Sequence, residues 1–365
     1  EAQEQLGGMM IYGIPGYRTP RDTVAAEIQR ILDTGIEAKL GVRVGEDISL
    51  DKIEADYDAV LWAVGAQNGR ALPVDGWSDT PNCITGVDFL QAFNQDRLQF
   101  VYEKVVVVGG GDTSIDVASV ARRLGHIDVI AEHDMPEAVI LGHTAHDVAG
   151  SITRQGVKAV LTSLFPIEGM MAAEREREDA LREGVEIKGG VMPLEVVKGE
   201  DGRARALKMC ECDMEGMKPI PREGTEFEIE CDLIVSAIGQ MGDLTGFEAL
   251  DNGRGFMDCD GFHKVKEHDK HFACGDIVRP HLLTTAIGQG GIAADGIDQF
   301  LAGESLDKRP KVDVHHFKLL NELRRRELEP VDFDHNPTRG TELADFAVHN
   351  YEDRASTHII AHEEL

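Results

Sequence analysis

The sequence contains no apolar run approaching the roughly 20 residues that a bilayer span needs. Aromatic residues make up only 5%, and bases fall far short of acids: 37 Lys and Arg against 66 Asp and Glu, a formal charge of −29 over 365 residues. The first absence excludes a helical membrane anchor within this stretch. The charge imbalance repels polyanions, so neither nucleic acid nor a membrane surface is expected as a partner. It also repels acidic redox carriers unless the docking face is locally basic. Cysteine is scarce and scattered at Cys83, Cys210, Cys212, Cys231, Cys259 and Cys274, with no C-x-x-C pair. A disulfide framework is not expected in so long a chain, which points to a reducing, cytoplasmic compartment. An iron–sulfur cluster needs about four closely spaced thiolates, and no stretch offers them. Cys210-x-Cys212 is expected to lie along one strand, on alternate faces.

With 42% hydrophobic and 28% charged residues, the composition is that of a soluble globular protein. The length points to two domains. The most informative segment is "KVVVVGGGDTSIDVASVARRLG". Val105 to Val108 form a β-branched run suited to a buried parallel strand. Gly109, Gly110 and Gly111 follow at once, and Ser114, Ile115, Ala118, Ala121 and Leu124 then recur at helical spacing. Strand, glycine turn and helix in this order make a phosphate loop. The glycines admit a pyrophosphate to the backbone, and the helix start offers free N–H groups and a positive dipole end. Asp112 and Thr113 fall in the first turn, where polar side chains cap. The pattern is G-x-G-x-x-S, with Ser114 in place of a third glycine. Its flanks favour dinucleotide binding over a ligand-free packing turn. Gly109, Gly111, Asp112, Thr113 and Ser114 are therefore candidates to cradle a nicotinamide pyrophosphate.

Two distant stretches echo one another: "DYDAVLWAVGAQ" around Gly65 and "ECDLIVSAIGQM" around Gly239. Each is an acidic residue, an apolar strand and Ala-Val-Gly or Ala-Ile-Gly, which suggests two copies of one architecture. Ala237, Ile238 and Gly239 are expected to border the nicotinamide pyrophosphate. Gly109 precedes Gly239 by 130 positions (239 minus 109). The same distance before Gly65 falls ahead of residue 1, so the first copy is expected to lack its loop, with the chain beginning after the first loop and helix. In a dinucleotide fold an acidic residue about 20 positions past the loop binds the ribose, and Glu1 fits that role.

Taken in order, "LGGMMIYGIPGYRTPRD", "GGGDTSID" and "ACGDIVRPHLLTTAIGQGG" resemble the glutamate synthase small (beta) subunit and related FAD- and NAD(P)-dependent iron–sulfur flavoproteins, over roughly residues 1–303. The resemblance implies an α/β fold of two Rossmann-like dinucleotide-binding domains in the glutathione-reductase layout. A discontinuous FAD domain, 1–100 and 262–303, would receive an inserted nicotinamide domain, 101–261, and a tail would cover 304–365. FAD and NAD(P)H are the implied cofactors. Iron–sulfur clusters are implied only in segments outside this chain, with a redox partner protein or subunit beyond them. By position, Glu1 would hold the FAD adenosine ribose, Gly7, Gly8 and Met9 would line the FAD, and Arg18 would lie near it. Val44 would meet the adenine through its backbone. Ala63, Gly65 and Ala66 would pass the FAD phosphates, and Gly275 and Asp276 the ribitol or pyrophosphate. Thr285 and Ala286 would begin a helix aimed at the flavin, its positive end favouring reduced, anionic flavin.

The sequence departs from that family where relatives using the 2′-phosphate carry an Arg pair. Here stand Leu164, Phe165 and Pro166. Without cations for that phosphate, NADH is expected over NADPH, with Glu168 on the ribose hydroxyls. The segment "HIDVIAEHDMPEAVILGHTAHDVAGSITRQG" looks longer than the usual link. "FKLLNELRRRELE" reads as an amphipathic helix, and the tail stops without cysteines, which suggests truncation at this end too. His358 and His362 have helical spacing but no third ligand, so no metal site is expected. A homodimer is compatible with such a tail. The expected chemistry is hydride transfer from C4 of NADH to N5 of FAD, then single electrons to an acceptor. The cofactors carry that chemistry, so no catalytic side chain is expected. The alternative is a nucleotide-binding scaffold or sensor subunit without flavin redox activity.

Overall fold

The computed structural model describes residues 1–126, 135–142 and 156–307. Contacts gather Glu1–Asp307 into one compact unit. The tail helix expected over 317–329, His358 and His362 lie outside the described residues. So does most of the long link, of which the helix Pro136–Gly142 is described. No helix among the described residues is long and apolar enough to cross a membrane.

The β-branched run forms the strand Lys104–Val108, with all four valines buried. It is central in a five-stranded sheet ordered Cys83–Thr85, Leu233–Ser236, Lys104–Val108, Lys158–Ser163, Glu186–Gly189, with every pair parallel. Both faces are covered, which is why the run is continuously apolar. Val105 and Val107 join a core built with the helices Gly86–Asn94 and Asp112–Arg123. Val106 and Val108 pack on the other face against Leu207, Met209 and Ile229. The side-chain period of two thus serves two cores from one strand.

Leu207 and Met209 belong to Ala204–Glu215, which pairs antiparallel with Val191–Lys198, Phe227–Glu230 and Lys218–Pro221. Here the expectation for the cysteine pair is corrected. Cys210 and Cys212 are both buried and Glu211 between them is exposed. Positions two apart in a strand share a face, so the pair lies on one face and not on alternate ones.

The first half of the chain contributes the strand Val60–Trp62, parallel to His271–Ala273. Around it Trp62, Phe247, Met257 and Ile277 form a separate core. The helix Leu283–Ala302 follows and ends at Gly303 with φ 70°, a left-handed cap that glycine adopts without strain. The echoed segments are the two strands Val60–Trp62 and Leu233–Ser236, and each runs into a glycine of positive φ, 69° at Gly65 and 122° at Gly239. The residues just beyond them meet: Asn68–Gly69 pairs antiparallel with Gln240–Met241. This two-stranded connector marks where the chain leaves the first half and returns.

Cys83–Thr85 is an edge strand of the five-stranded sheet, and Leu244 to Met257 pack on Trp62 in the other core. A three-residue strand and an irregular loop carry too little periodicity to show this in sequence.

A polar chain running from buried Trp62 and His271 to half-buried Glu54 supports the first core. Trp62 Nε1 donates to His271 Nδ1 at 2.9 Å, and His271 Nε2 lies 3.1 Å from Glu54 Oε1. The indole is a donor only, so Nδ1 accepts and Nε2 carries the proton toward Glu54. Burial holds the His271 pKa below its usual value, partly offset by Glu54. A lowered histidine pKa means stability present above the ordinary value of about 6.5 and lost as pH falls through the folded value. In urea unfolding from pH 7.5 to 5, the stability gap between the wild type and His271→Phe should narrow with acid. A gap independent of pH would contradict this tautomer.

Candidate nucleotide-binding cleft

Three consecutive glycines open the helix Asp112–Arg123, each for its own reason. A Cβ on Gly109 would stand 2.4 Å from the Ala237 carbonyl oxygen, so the first is demanded by packing. A Cβ on Gly110 would meet Ser163 Oγ at 2.8 Å. A Cβ on Gly111 would meet nothing within 4 Å, so its bareness answers to no protein atom. The turn is tied down on both sides. Gly109 N–H donates to Thr162 O at 2.9 Å, and Ala172 N–H to Gly110 O at 3.0 Å. Gly111 is the N-cap, and no side chain caps the helix. Asp112 and Thr113 therefore lie in the first turn without the capping role expected of them. The first amides of a helix have no intrahelical acceptors, and Asp112 and Thr113 border open space.

That space is a cleft of about 1300 Å³. This exceeds the 300–1,000 Å³ of an ordinary small-ligand site. At one end it is lined by Gly109, Gly111, Asp112, Thr113, Ala237, Ile238 and Gly239. At the other it is lined by Glu1, Gly7, Gly8, Met9, Val44, Ala63, Gly65, Gly275, Asp276 and Ala286. Four candidates do not line it. Ser114 is fully buried and donates its hydroxyl to Gly111 O at 2.6 Å, shaping the turn from behind. Ala66 is buried. Glu168 is exposed in the short turn Ile167–Gly169. Thr285 pairs its Oγ1 with His281 Nδ1 at 2.7 Å.

The far end repeats the use of glycine where backbone must turn. Gly8 has φ 48° and no atom within 4 Å of a Cβ, a conformation that L side chains avoid. Glu1 accepts from the Gln3 amide at 2.9 Å, and its carbonyl accepts from Val42 N–H at 3.0 Å, bringing it toward Val44. Gly275, at φ 76°, donates its N–H to Gln289 Oε1 at 2.7 Å. Burial pushes the Asp276 carboxyl up, partly offset by the His281 amide, which donates to its Oδ1 at 3.2 Å.

Arg18 lines the cleft, and its guanidinium pairs with Asp116 and Glu176 of the second half. Arg43, also lining, pairs with Asp243. The sequence did not single out Asp116, His281, Met171 or Met217, all of which line the cleft. Asp116 stands inside the quoted "GGGDTSID" and was within reach of sequence reasoning. Met217, at the tip of the hairpin joining Ala204–Glu215 to Lys218–Pro221, carries no local signal. No group of three or more metal-ligating side chains occurs among the described residues.

Two parallel sheets, each ending at a positive-φ glycine turn on one shared cleft, define a two-nucleotide α/β fold with the second half inserted in the first. The chain belongs to the pyridine nucleotide-disulphide oxidoreductase family, whose profile matches residues 7–290. Membership implies FAD and a nicotinamide dinucleotide. The beta subunit of the NADP(+)-dependent formate dehydrogenase of Moorella thermoacetica is 33% identical over 307 residues, covering 82% of this chain and 40% of that protein. The glutamate synthase [NADPH] small chain of Mycobacterium tuberculosis is 30% identical over 324 residues, covering 84% of this chain and 62% of that one. The chain thus spans about half the length of these relatives. Mycobacterium tuberculosis FprA in complex with NADPH shares the fold at a TM-score of 0.64 and 18% identity, covering 90% of this chain and 82% of that one.

Proposed function

We propose that this chain takes hydride from NADH onto FAD and passes the electrons on to a redox partner protein or subunit. The observation that carries this is one cleft lined at both ends by glycine turns, with Gly8 and Gly111 bare toward open space. That is the cradle two dinucleotides need. When bound, FAD and the nicotinamide nucleotide supply the hydride chemistry.

The residues bind and orient. Gly111, Asp112 and Thr113 present backbone to the nicotinamide pyrophosphate, and Ala237 to Gly239 close its other side. Glu1 takes the FAD adenosine ribose, Val44 its adenine, and Gly7 to Met9 with Gly65 its phosphates. Gly275 and Asp276 hold the ribitol side. The helix Leu283–Ala302 directs its positive end into the cleft through Leu283 and Ala286. NADH is preferred because Leu164 and Phe165 line the cleft where a 2′-phosphate would need cations. Arg177, on the helix Glu174–Arg182, turns its guanidinium to the carbonyls of Met170 and Ala172 at 3.0 and 3.1 Å. Both relatives named above carry NADP(+) or NADPH in their names, so this preference is a sharp test. All six cysteines are free thiols, in keeping with a reducing, cytoplasmic setting. The clusters that relay the electrons would lie in other segments.

The purified protein should show flavin absorption that bleaches anaerobically with NADH, at least about tenfold faster than with equal NADPH, as loss of one good phosphate contact allows. A faster response to NADPH would overturn the assignment of Leu164 and Phe165. A colourless protein that still binds NAD⁺ would support the scaffold alternative instead.

A further inference from the structure

Two neighbouring side chains cross from the first half of the chain to the second. Tyr17 and Arg18 lie in the loop between Met9–Tyr12 and Arg21–Leu32. Arg18 Nη1 donates to Asp116 Oδ1 at 2.6 Å, and Nη2 donates to Glu176 Oε1. Asp116 sits on Asp112–Arg123, the helix that begins at the glycine loop, and Glu176 on Glu174–Arg182. The Arg123 guanidinium stacks on the Tyr17 ring, 3.6 Å from its centroid, and Arg123 pairs in turn with Glu183.

Of these contacts the Arg18–Asp116 pair is the buried one, while Tyr17 is 45% exposed and Arg123 and Glu183 lie at the surface. The Asp116 side chain is 8% exposed, and Glu176 keeps Oε2 buried without a partner. Burial pushes both carboxyls up, and Arg18 pulls both back down. Removing one partner of such a group leaves an uncompensated buried charge, which costs far more than losing a surface pair. The guanidinium is matched to this task because its planar fork can serve two carboxylates at once.

We propose that Tyr17 and Arg18 form a latch holding the glycine-loop helix against the first half, with Arg18 as the positioning residue for the approach of the two nucleotides. This rests on the assignment above of both nucleotides to the cleft. Reacting atoms must come within about 3–3.5 Å, and a misplacement of about 1 Å can cost about 100-fold in rate. A loosened helix would therefore slow transfer without weakening the grip of the glycine loop on its nucleotide.

Arg18→Ala and Arg18→Lys in the whole protein test this. Without any cofactor added, hydrogen exchange at the Arg18 and Thr19 amides, both bonded to Pro15 O, should quicken about tenfold or more in Arg18→Ala. FAD content and NAD⁺ affinity by calorimetry should stay within about threefold, while flavin reduction at saturating NADH falls about 10- to 100-fold. Arg18→Lys should be intermediate, since an ammonium cannot fork between two carboxylates. Unchanged exchange overturns the latch. So does a loss of FAD or of NAD⁺ affinity that matches the loss of rate, because Arg18 would then be a ligand. Failure of the wild type to bleach with either nucleotide would sink the proposed function alone, since the exchange result stands apart from it.

Discussion

Gly111→Val should weaken nicotinamide nucleotide binding about 100-fold in a protein that remains folded, whereas Gly109→Val should damage the fold itself. The two positions are two residues apart in one turn, and the difference lies in what each faces. Gly109 is pressed against the Ala237 carbonyl oxygen, 2.4 Å from where a Cβ would sit. Backbone cannot yield as a flexible side chain does. An added side chain must push the strand ends Val108 and Ser236 apart, and overpacking of this kind costs about 1–3 kcal/mol or more. Gly111 has φ −106° and ψ −178°, extended backbone that suits a β-branched residue, and its Cβ meets no protein atom within 4 Å. Stability should change by less than about 0.5 kcal/mol. If a pyrophosphate packs on this backbone, a valine displaces it, and affinity for NAD⁺ should fall about 100-fold, equivalent to about 2.7 kcal/mol. Urea unfolding and titration calorimetry on both variants separate the effects. Wild-type affinity in Gly111→Val would mean that the bare glycine faces solvent and not a nucleotide.

Asn82→Leu should be among the most destabilising single changes in the described part of the chain. Asn82 is fully buried. Its Nδ2 donates to Ala204 O at 3.0 Å and to Asp232 O at 2.7 Å, and its Oδ1 accepts from Ala204 N–H at 2.8 Å. One amide therefore joins the edge strand Cys83–Thr85, the antiparallel strand Ala204–Glu215 and the approach to Leu233–Ser236. Leucine has similar bulk but leaves three backbone groups in the interior without that partner. Each unsatisfied group costs about 1–3 kcal/mol, so a loss of roughly 3–9 kcal/mol is expected. The matched change Asn68→Leu, at an exposed position, should stay within about 0.5 kcal/mol. Denaturant midpoints for the two variants suffice. Equal, small losses would mean that water or a rearranged backbone takes over the bonds of Asn82.

Much of what lines the cleft was legible in the sequence because its signals are local. Strand, glycine turn and helix between Lys104 and Arg123 form within one contiguous stretch. The apolar run, the glycines and the helical spacing all report on neighbours a few residues away. The echo at Gly65 and Gly239 was legible for the same reason, and both glycines do adopt positive φ. The pairing of the edge strand of the five-stranded sheet was not legible. The strand Cys83–Thr85 is three residues long, and its partner Leu233–Ser236 lies far along the chain. Ser114 was expected to help cradle the phosphate, but its motif position is the one where a glycine serves helix–strand packing and not the ligand. Packing turns it inward, onto Gly111 O.

The sequence by itself determined the two-nucleotide architecture, the place of the strand, glycine turn and helix between Lys104 and Arg123 within it, and the absence of a cation at Leu164 to Pro166. Each follows from residue type at short range: β-branched runs bury, glycines turn, and uncharged side chains cannot neutralise a phosphate. Only the tertiary structure decided that the two echoed turns meet in a single cleft, that Asn82 joins elements 122 and 150 residues away, and that Arg18 reaches Asp116 across 98 residues. A hydrogen bond or ion pair depends on distance in space, and a chain that folds back on itself sets that distance without leaving a periodic trace in its letters.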